Sequence, residues 1–116
     1  MATTTSIGRT AETVAANYLE QQSFKILQQN WRTRWCEIDL VVTKANTIYF
    51  VEVKYRSSSV YGAGLDYITP KKLNQMRFAA DFWLAKYNWR GDIAISAIEL
   101  SGPHFNIDNF ISEITG

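Results

Sequence analysis

WCEIDLVVTKANTIYFVEVKY, residues 35–55, decides how this chain folds. It predicts two β-strands, Trp35–Thr43 and Thr47–Tyr55, joined by a tight turn at Ala45–Asn46. Both runs are rich in Val, Ile and aromatic residues, and Asn in the short polar break is a turn former. Side chains alternate between the two faces of a strand. Cys36, Ile38, Leu40 and Val42 are therefore expected on one face of the first strand, and Trp35, Glu37, Asp39 and Val41 on the other. In the second strand Tyr49, Val51, Val53 and Tyr55 share one face, while Ile48, Phe50, Glu52 and Lys54 share the other.

An even-numbered turn, either Ala45–Asn46 or Lys44–Thr47, sets Leu40 opposite Val51 and Val42 opposite Tyr49. A slip of one residue would turn an apolar row onto a charged one, so burial fixes this register. The same register predicts Asp39 opposite Glu52, Ile38 opposite Val53 and Glu37 opposite Lys54. Two facing carboxylates repel, and Val41 and Phe50 make their surroundings partly apolar, which raises the pKa of one of them. A divalent cation would relieve that conflict, because hard cations prefer carboxylate oxygens. Lys54, on the same face as Glu52, could then stand beside the cation and a phosphate. The competing reading is a solvated hairpin face with a cross-strand ion pair. Val41, Ile48 and Phe50 argue against it.

The 116 residues suit a single domain, 1–116, with one hydrophobic core. A composition 47% apolar with few long apolar runs implies a globular chain with no membrane span. The start, MATTTSIGRT, lacks the apolar region of a secretory signal, and the lone Cys36 fits a reducing cytoplasm. Cys36 is expected as a buried structural thiol. His104, the single histidine, has no partner at ligand spacing. A net charge of +1 argues against a strongly basic nucleic-acid binder, but the charge is unevenly spread. Basic residues predominate before residue 80 and acids after it. If Glu12, Glu37, Asp39 and Glu52 gather round a metal, the remaining surface of the first part is basic.

Upstream, Ile7, Ala11, Val14, Ala15, Tyr18 and Leu19 recur at helical spacing and predict a helix over 7–22 with Ser6 as N-cap. Glu12 sits among Gly8, Ala15 and Ala16, small neighbours that let a backbone or ligand approach. It is an ordinary first-turn acid unless the helix packs beside the hairpin. Phe24–Leu27 predicts a short strand and Asn30–Arg34 a turn, in which Trp31 and Trp35 interleave Arg32 and Arg34. Residues 56–68, with Arg56, Gly62 and Gly64, suggest a flap near the charged face. Thr69–Pro70 opens a second helix running to about residue 88, with Leu73, Met76, Ala80, Trp83 and Tyr87 as its buried stripe. Lys71, Lys72 and Arg77 crowd its first turns, where the helix dipole disfavours cations, unless an anion docks there. Asp92–Leu100 predicts a further strand and Phe105–Ile111 a last one.

A helix bearing Glu, a strand with Glu-Ile-Asp-Leu, a strand with Val-Glu-Val-Lys, a Tyr-Gly flap and a lysine-rich helix follow one another. This order resembles the YraN-like family of predicted endonucleases, within the PD-(D/E)XK restriction-endonuclease-like superfamily and akin to archaeal Holliday-junction resolvases. The match runs from Gly8 to Leu84 and is carried by EIDL…FVEVKYR, with Gly8–Glu12 and Asn30 upstream. Cys36 stands where the family usually has glycine. The resemblance implies an α/β fold, a mixed central β-sheet flanked by helices. It also implies Mg²⁺- or Mn²⁺-dependent phosphodiester hydrolysis on DNA. Asp39, Glu52 and Lys54 would be the catalytic triad and Glu12 the helix-borne acid. Asp39, Glu52, Glu12 and the Val53 carbonyl would hold metal, with Glu37 tuning Lys54 or touching the ion. Arg56, Lys71 and Lys72 would grip the nucleic-acid backbone. The resolvase likeness implies a homodimer, for which Tyr49, Trp83 and Trp89 are candidate contacts. The alternative is a non-catalytic nucleic-acid-binding or protein-interaction domain that keeps the fold.

Overall fold

The computed structural model describes residues 4–57 and 68–115. Helix α1 (Thr4–Gln21) is followed by strands β1 (Lys25–Arg32), β2 (Glu37–Lys44) and β3 (Thr47–Arg56). Helix α2 (Pro70–Tyr87) and strands β4 (Asp92–Ser101) and β5 (Asn106–Ile111) complete the chain. The five strands lie in sequence order, with β3–β4 parallel and every other pair antiparallel. A parallel neighbour requires a crossover connection, and α2 lies within it. The result is the mixed sheet with flanking helices expected from the sequence.

The two helices cover opposite faces. Ala11, Ala15, Ala16 and Leu19 of α1 are buried, and the last three pack with Leu40, Val42, Val51, Ile98 and Leu100. Leu73, Ala79, Ala80 and Trp83 of α2 pack on Val41, Ile48, Phe50, Ile95 and Ala97. Trp83 meets Phe50 edge-on, with ring centroids 5.5 Å apart, and donates its indole N–H to Gln28 Oε1 at 2.6 Å. A buried Trp therefore keeps its polar atom satisfied. Trp83 is thus a core residue and not an exposed dimer contact. Trp89 is half-buried against the same core, and its indole N–H is donated to the Asp92 carbonyl at 3.0 Å.

The hairpin turn falls at Ala45–Asn46, whose φ angles of 51° and 64° are both positive. That geometry matches the twist of the flanking strands. It sets Leu40 opposite Val51, Val41 opposite Phe50 and Val42 opposite Tyr49, the expected register. Thr69 caps α2, its side-chain oxygen accepting from Lys72 N–H at 3.1 Å with Pro70 beginning the helix. Tyr87, expected in the buried stripe, is exposed at the far end.

Three local expectations are corrected. Ser6 lies inside α1 and does not cap it, because the helix already includes Thr4. β1 does not stop at Leu27; it runs on to Arg32, and the chain turns at Thr33–Cys36 instead. Thr33 makes that turn, its N–H donating to the Cys36 carbonyl at 2.8 Å and its hydroxyl oxygen accepting from Trp35 and Cys36 N–H. Asn30 adopts φ 52° within the strand, and burial of Trp31 just beyond it keeps the strand in the sheet. Cys36 is half-buried, not fully enclosed. Most of the flap expected over 56–68 lies outside the described residues.

Candidate active site

The β2–β3 ladder is regular from the turn down to Leu40–Val51 and then ends. Glu37 and Lys54, Ile38 and Val53, and Asp39 and Glu52 are not ladder partners, contrary to a register carried on to the strand ends. The cause is local. Asp39 Oδ2 accepts the Val53 N–H at 2.8 Å, so a side chain takes the donor that a strand carbonyl would otherwise use. On the other side of β2, Gln29 pairs with Leu40 and Trp31 with Ile38, while Asn30 and Asp39 between them drop out of the ladder. The face alternation breaks at the same place: Ile38 joins the α2-side core and Leu40 the α1-side core. Ile38 therefore does not share a face with Leu40 and Val42, as strict alternation predicts. Asp39 occupies the fork where β2 and β3 part.

Helix α1 passes this fork. A cleft of about 260 Å³ is lined by Gly8, Ala11, Glu12, Asp39, Val53 and Lys54. The helix packs beside the hairpin and brings Glu12 into the same cleft as Asp39 and Lys54. A Cβ built on Gly8 would meet nothing within 4 Å among the described residues. Glu12 Oε2 is buried with no hydrogen-bond partner among the described residues. An orphaned buried carboxylate oxygen is costly. Burial accordingly raises the Glu12 pKa; Arg32, an Asn30 hydrogen bond and Arg9 oppose that rise, and Glu37 adds to it.

Asp39 is more strongly perturbed. Its pKa is pushed up to about 7, first by burial and then by the charge of Glu52, with Glu12 and Glu37 contributing further. The Val53 N–H acts against the rise by hydrogen-bonding the ionised form. Three carboxylates thus act on a fourth, as expected when like charges share a poorly solvated place.

Glu52 approaches the fork from the α2 side. It lines a narrow crevice with Asp39, Phe50, Met76 and Ala79, and its charge acts on Asp39. Its Oε1 lies 3.3 Å from Lys72 Nζ. Lys71 and Lys72 line a groove with Glu52 at the start of α2. Glu37 does not face Lys54: it pairs with Arg32 across β1–β2 at 3.4 Å, both side chains being largely exposed. Arg56 Nη1 lies 4.0 Å from Glu99 Oε2, and Arg56 does not line the groove that holds the two lysines.

Glu99 was not singled out from the sequence. Its side chain is only 7% exposed, and it pairs across β3–β4 with Lys54. A signal was present: an acid at the end of the alternating row Ile93, Ile95, Ala97. Asn30, expected to open a turn, instead lies within β1 with a left-handed φ of 52°.

The donor chemistry suits a hard cation, since Glu12, Asp39, Glu52 and the Val53 carbonyl offer only oxygen. Among the described residues, no three His, Cys, Asp or Glu side chains lie close enough to form a ready-made cage. Glu52 is instead turned to Lys72. Donors fit such an ion in kind, and a cage would require Glu52 to leave Lys72.

Residues 11–98, a span containing Glu12, Asp39, Glu52 and Lys54, match the family described as Uncharacterised protein family UPF0102. A UPF0102 protein of Vibrio campbellii is 38% identical over 113 residues, covering 92% of this chain and 93% of its own length. One from Cytophaga hutchinsonii is 36% identical over 100 residues, 86% of this chain and 88% of that protein. One from Pseudomonas putida strain F1 is 37% identical over 105 residues, with 89% and 85% covered.

Proposed function

The chain belongs to the UPF0102 family, and because that description names no activity, we propose from the site that it hydrolyses phosphodiester bonds in DNA with a divalent cation, Mg²⁺ or Mn²⁺. This is the chemistry implied by the resemblance to YraN-like and PD-(D/E)XK endonucleases. The observation that carries it is Asp39. Its pKa is pushed up to about 7 by burial and by the charges of Glu52, Glu12 and Glu37, and a cation beside it would favour the ionised form.

Glu12, Asp39, Glu52 and the Val53 carbonyl are the groups that would hold the ion. When bound, it would supply charge to a phosphoryl oxygen and acidify a water. The chain's own part is positioning. Asp39 is fixed by the Val53 N–H, and Glu12 is carried to the cleft by a helix buried on Ala11, Ala15 and Ala16. Lys54, lining the same cleft, would orient the attacking water and offset charge growing on the phosphate. Lys71 and Lys72 would hold the backbone without reading sequence, and Arg56 would brace the adjoining strand end.

The Lys72–Glu52 contact favours a second reading, a nucleic-acid-binding domain without turnover, because it satisfies Glu52 with no ion. Incubation of branched, flap and single-stranded DNA with wild type, Asp39→Asn and Lys54→Ala under Mg²⁺ and Mn²⁺ separates the two. Hydrolysis predicts metal-dependent cleavage reduced at least about a hundredfold in both variants. Binding without cleavage under every ion would leave the second reading. The homodimer implied by the resolvase likeness belongs to this proposal and is read from solution mass with and without junction DNA.

A further inference from the structure

The groove at the start of α2 has more in it than cations. It measures about 710 Å³, and besides Glu37, Glu52, Lys71 and Lys72 its walls include Trp35 and Phe78. These rings are 65% and 52% exposed, a costly display of apolar surface on one concavity. Neither hangs loosely. Trp35 follows the Thr33 turn, its N–H bonded to Thr33 Oγ1 at 3.1 Å, and its ring lies 5.8 Å from Phe82. Phe78 leans on the same Phe82 at 6.2 Å. The Arg34 guanidinium sits 5.2 Å from the Trp35 ring centroid.

The charges lining the groove balance. Lys72 is engaged by Glu52 at 3.3 Å, and Glu37 by Arg32 at 3.4 Å. Phosphate attraction by Lys71 and Lys72 is therefore offset in part by these acids, and the exposed rings add a second means of binding. Flat aromatic faces beside a few ammonium groups match unpaired bases joined by phosphates. A paired duplex keeps its base faces stacked internally and has nothing to offer these rings.

We propose that this groove takes an unpaired stretch of a DNA strand, with bases stacked on Trp35 and Phe78 and the backbone passing Lys71 and Lys72 toward Glu52. The inference rests on the hydrolytic reading above and deepens it: the substrate is DNA with single-stranded or displaced bases, not continuous duplex.

The test measures binding in EDTA, so that no cleavage intervenes. Fluorescence anisotropy compares a short labelled oligothymidylate, a duplex of equal length, and an abasic strand carrying the same phosphates without bases. Wild type is expected to bind the oligothymidylate at least about tenfold more tightly than the abasic strand. Trp35→Ala and Phe78→Ala should each lose about tenfold on the oligothymidylate and under twofold on duplex, while Trp35→Phe keeps most of the affinity. Both positions are exposed, and unchanged melting temperatures confirm folding. Equal binding of abasic and base-bearing strands, or equal losses on duplex, would overturn the proposal; so would absence of single-strand binding by wild type, the result expected if a protein segment occupies the groove. If these affinities behave as stated but no ion supports cleavage, the hydrolytic reading fails and the groove assignment stands. If duplex is cleaved by wild type and Trp35→Ala alike but not by Asp39→Asn, the reverse holds.

Discussion

The two halves of the β2–β3 hairpin are built from the same kind of sequence and behave differently. From the turn to Leu40–Val51, each residue pairs where alternation puts it and each face is covered by apolar side chains. Below that level Asp39 takes a backbone N–H with its side chain, Asn30 enters the left-handed region, and the charges of Glu52, Glu12 and Glu37 act on Asp39. The upper half is organised for stability alone. The lower half keeps a buried, electrostatically opposed carboxyl group, and local rules broken in this way are expected at functional or strained positions.

The contrast predicts effects of different kind in the two halves. The largest belongs to the upper half. Phe50→Ala removes a ring that packs edge-on to Trp83 and should cost roughly 3–5 kcal/mol in urea denaturation. A loss under about 1 kcal/mol would mean that this half is not the rigid frame described.

The next effect belongs to the fork and has a definite pH sign. Asp39 has a folded pKa of about 7, above the ordinary carboxylate value near 4. Between those values the folded state holds a proton that the unfolded chain has released, so stability falls as pH rises through this window. Without divalent ions, wild type should be roughly 2–4 kcal/mol less stable at pH 8 than at pH 5 through this group. Asp39→Asn keeps an oxygen for the Val53 N–H and carries no charge, so its advantage over wild type should appear at pH 8 and vanish at pH 5. A pH-independent difference would sever the fork from electrostatics.

The smallest effect is at the turn. Asn46 sits at φ 64°, where glycine pays no steric cost, and Asn46→Gly should change stability by under about 1 kcal/mol without altering activity. A change in cleavage from this substitution would show that the two halves are coupled.

Much of this architecture was legible in the residues. The hairpin register followed from burial, the α2 start from Thr69–Pro70, and the mixed sheet from the motif order. The electrostatic conflict between Asp39 and Glu52 is legible in the residues, but it does not arise by direct cross-strand pairing, since the ladder ends at Leu40–Val51. Period-two reasoning assumes an unbroken ladder, and here Asp39 breaks it with a bond that alternation cannot foresee. The same blindness turned Asn30 into a loop and Glu37 into a neighbour of Lys54. Glu99 escaped because an acid within an apolar row reads as an edge position until a parallel neighbour buries it.

The Lys72–Glu52 contact carries a consequence for order of assembly. Whatever draws Glu52 toward the fork releases an ammonium group into the groove, and a polyanion that recruits that ammonium leaves Glu52 at liberty. Cation and nucleic acid would then each tighten the hold of the other by the same factor, as thermodynamic reciprocity demands. A side-chain pair that looks like simple mutual neutralisation would serve as the latch through which two ligands of opposite charge sense one another.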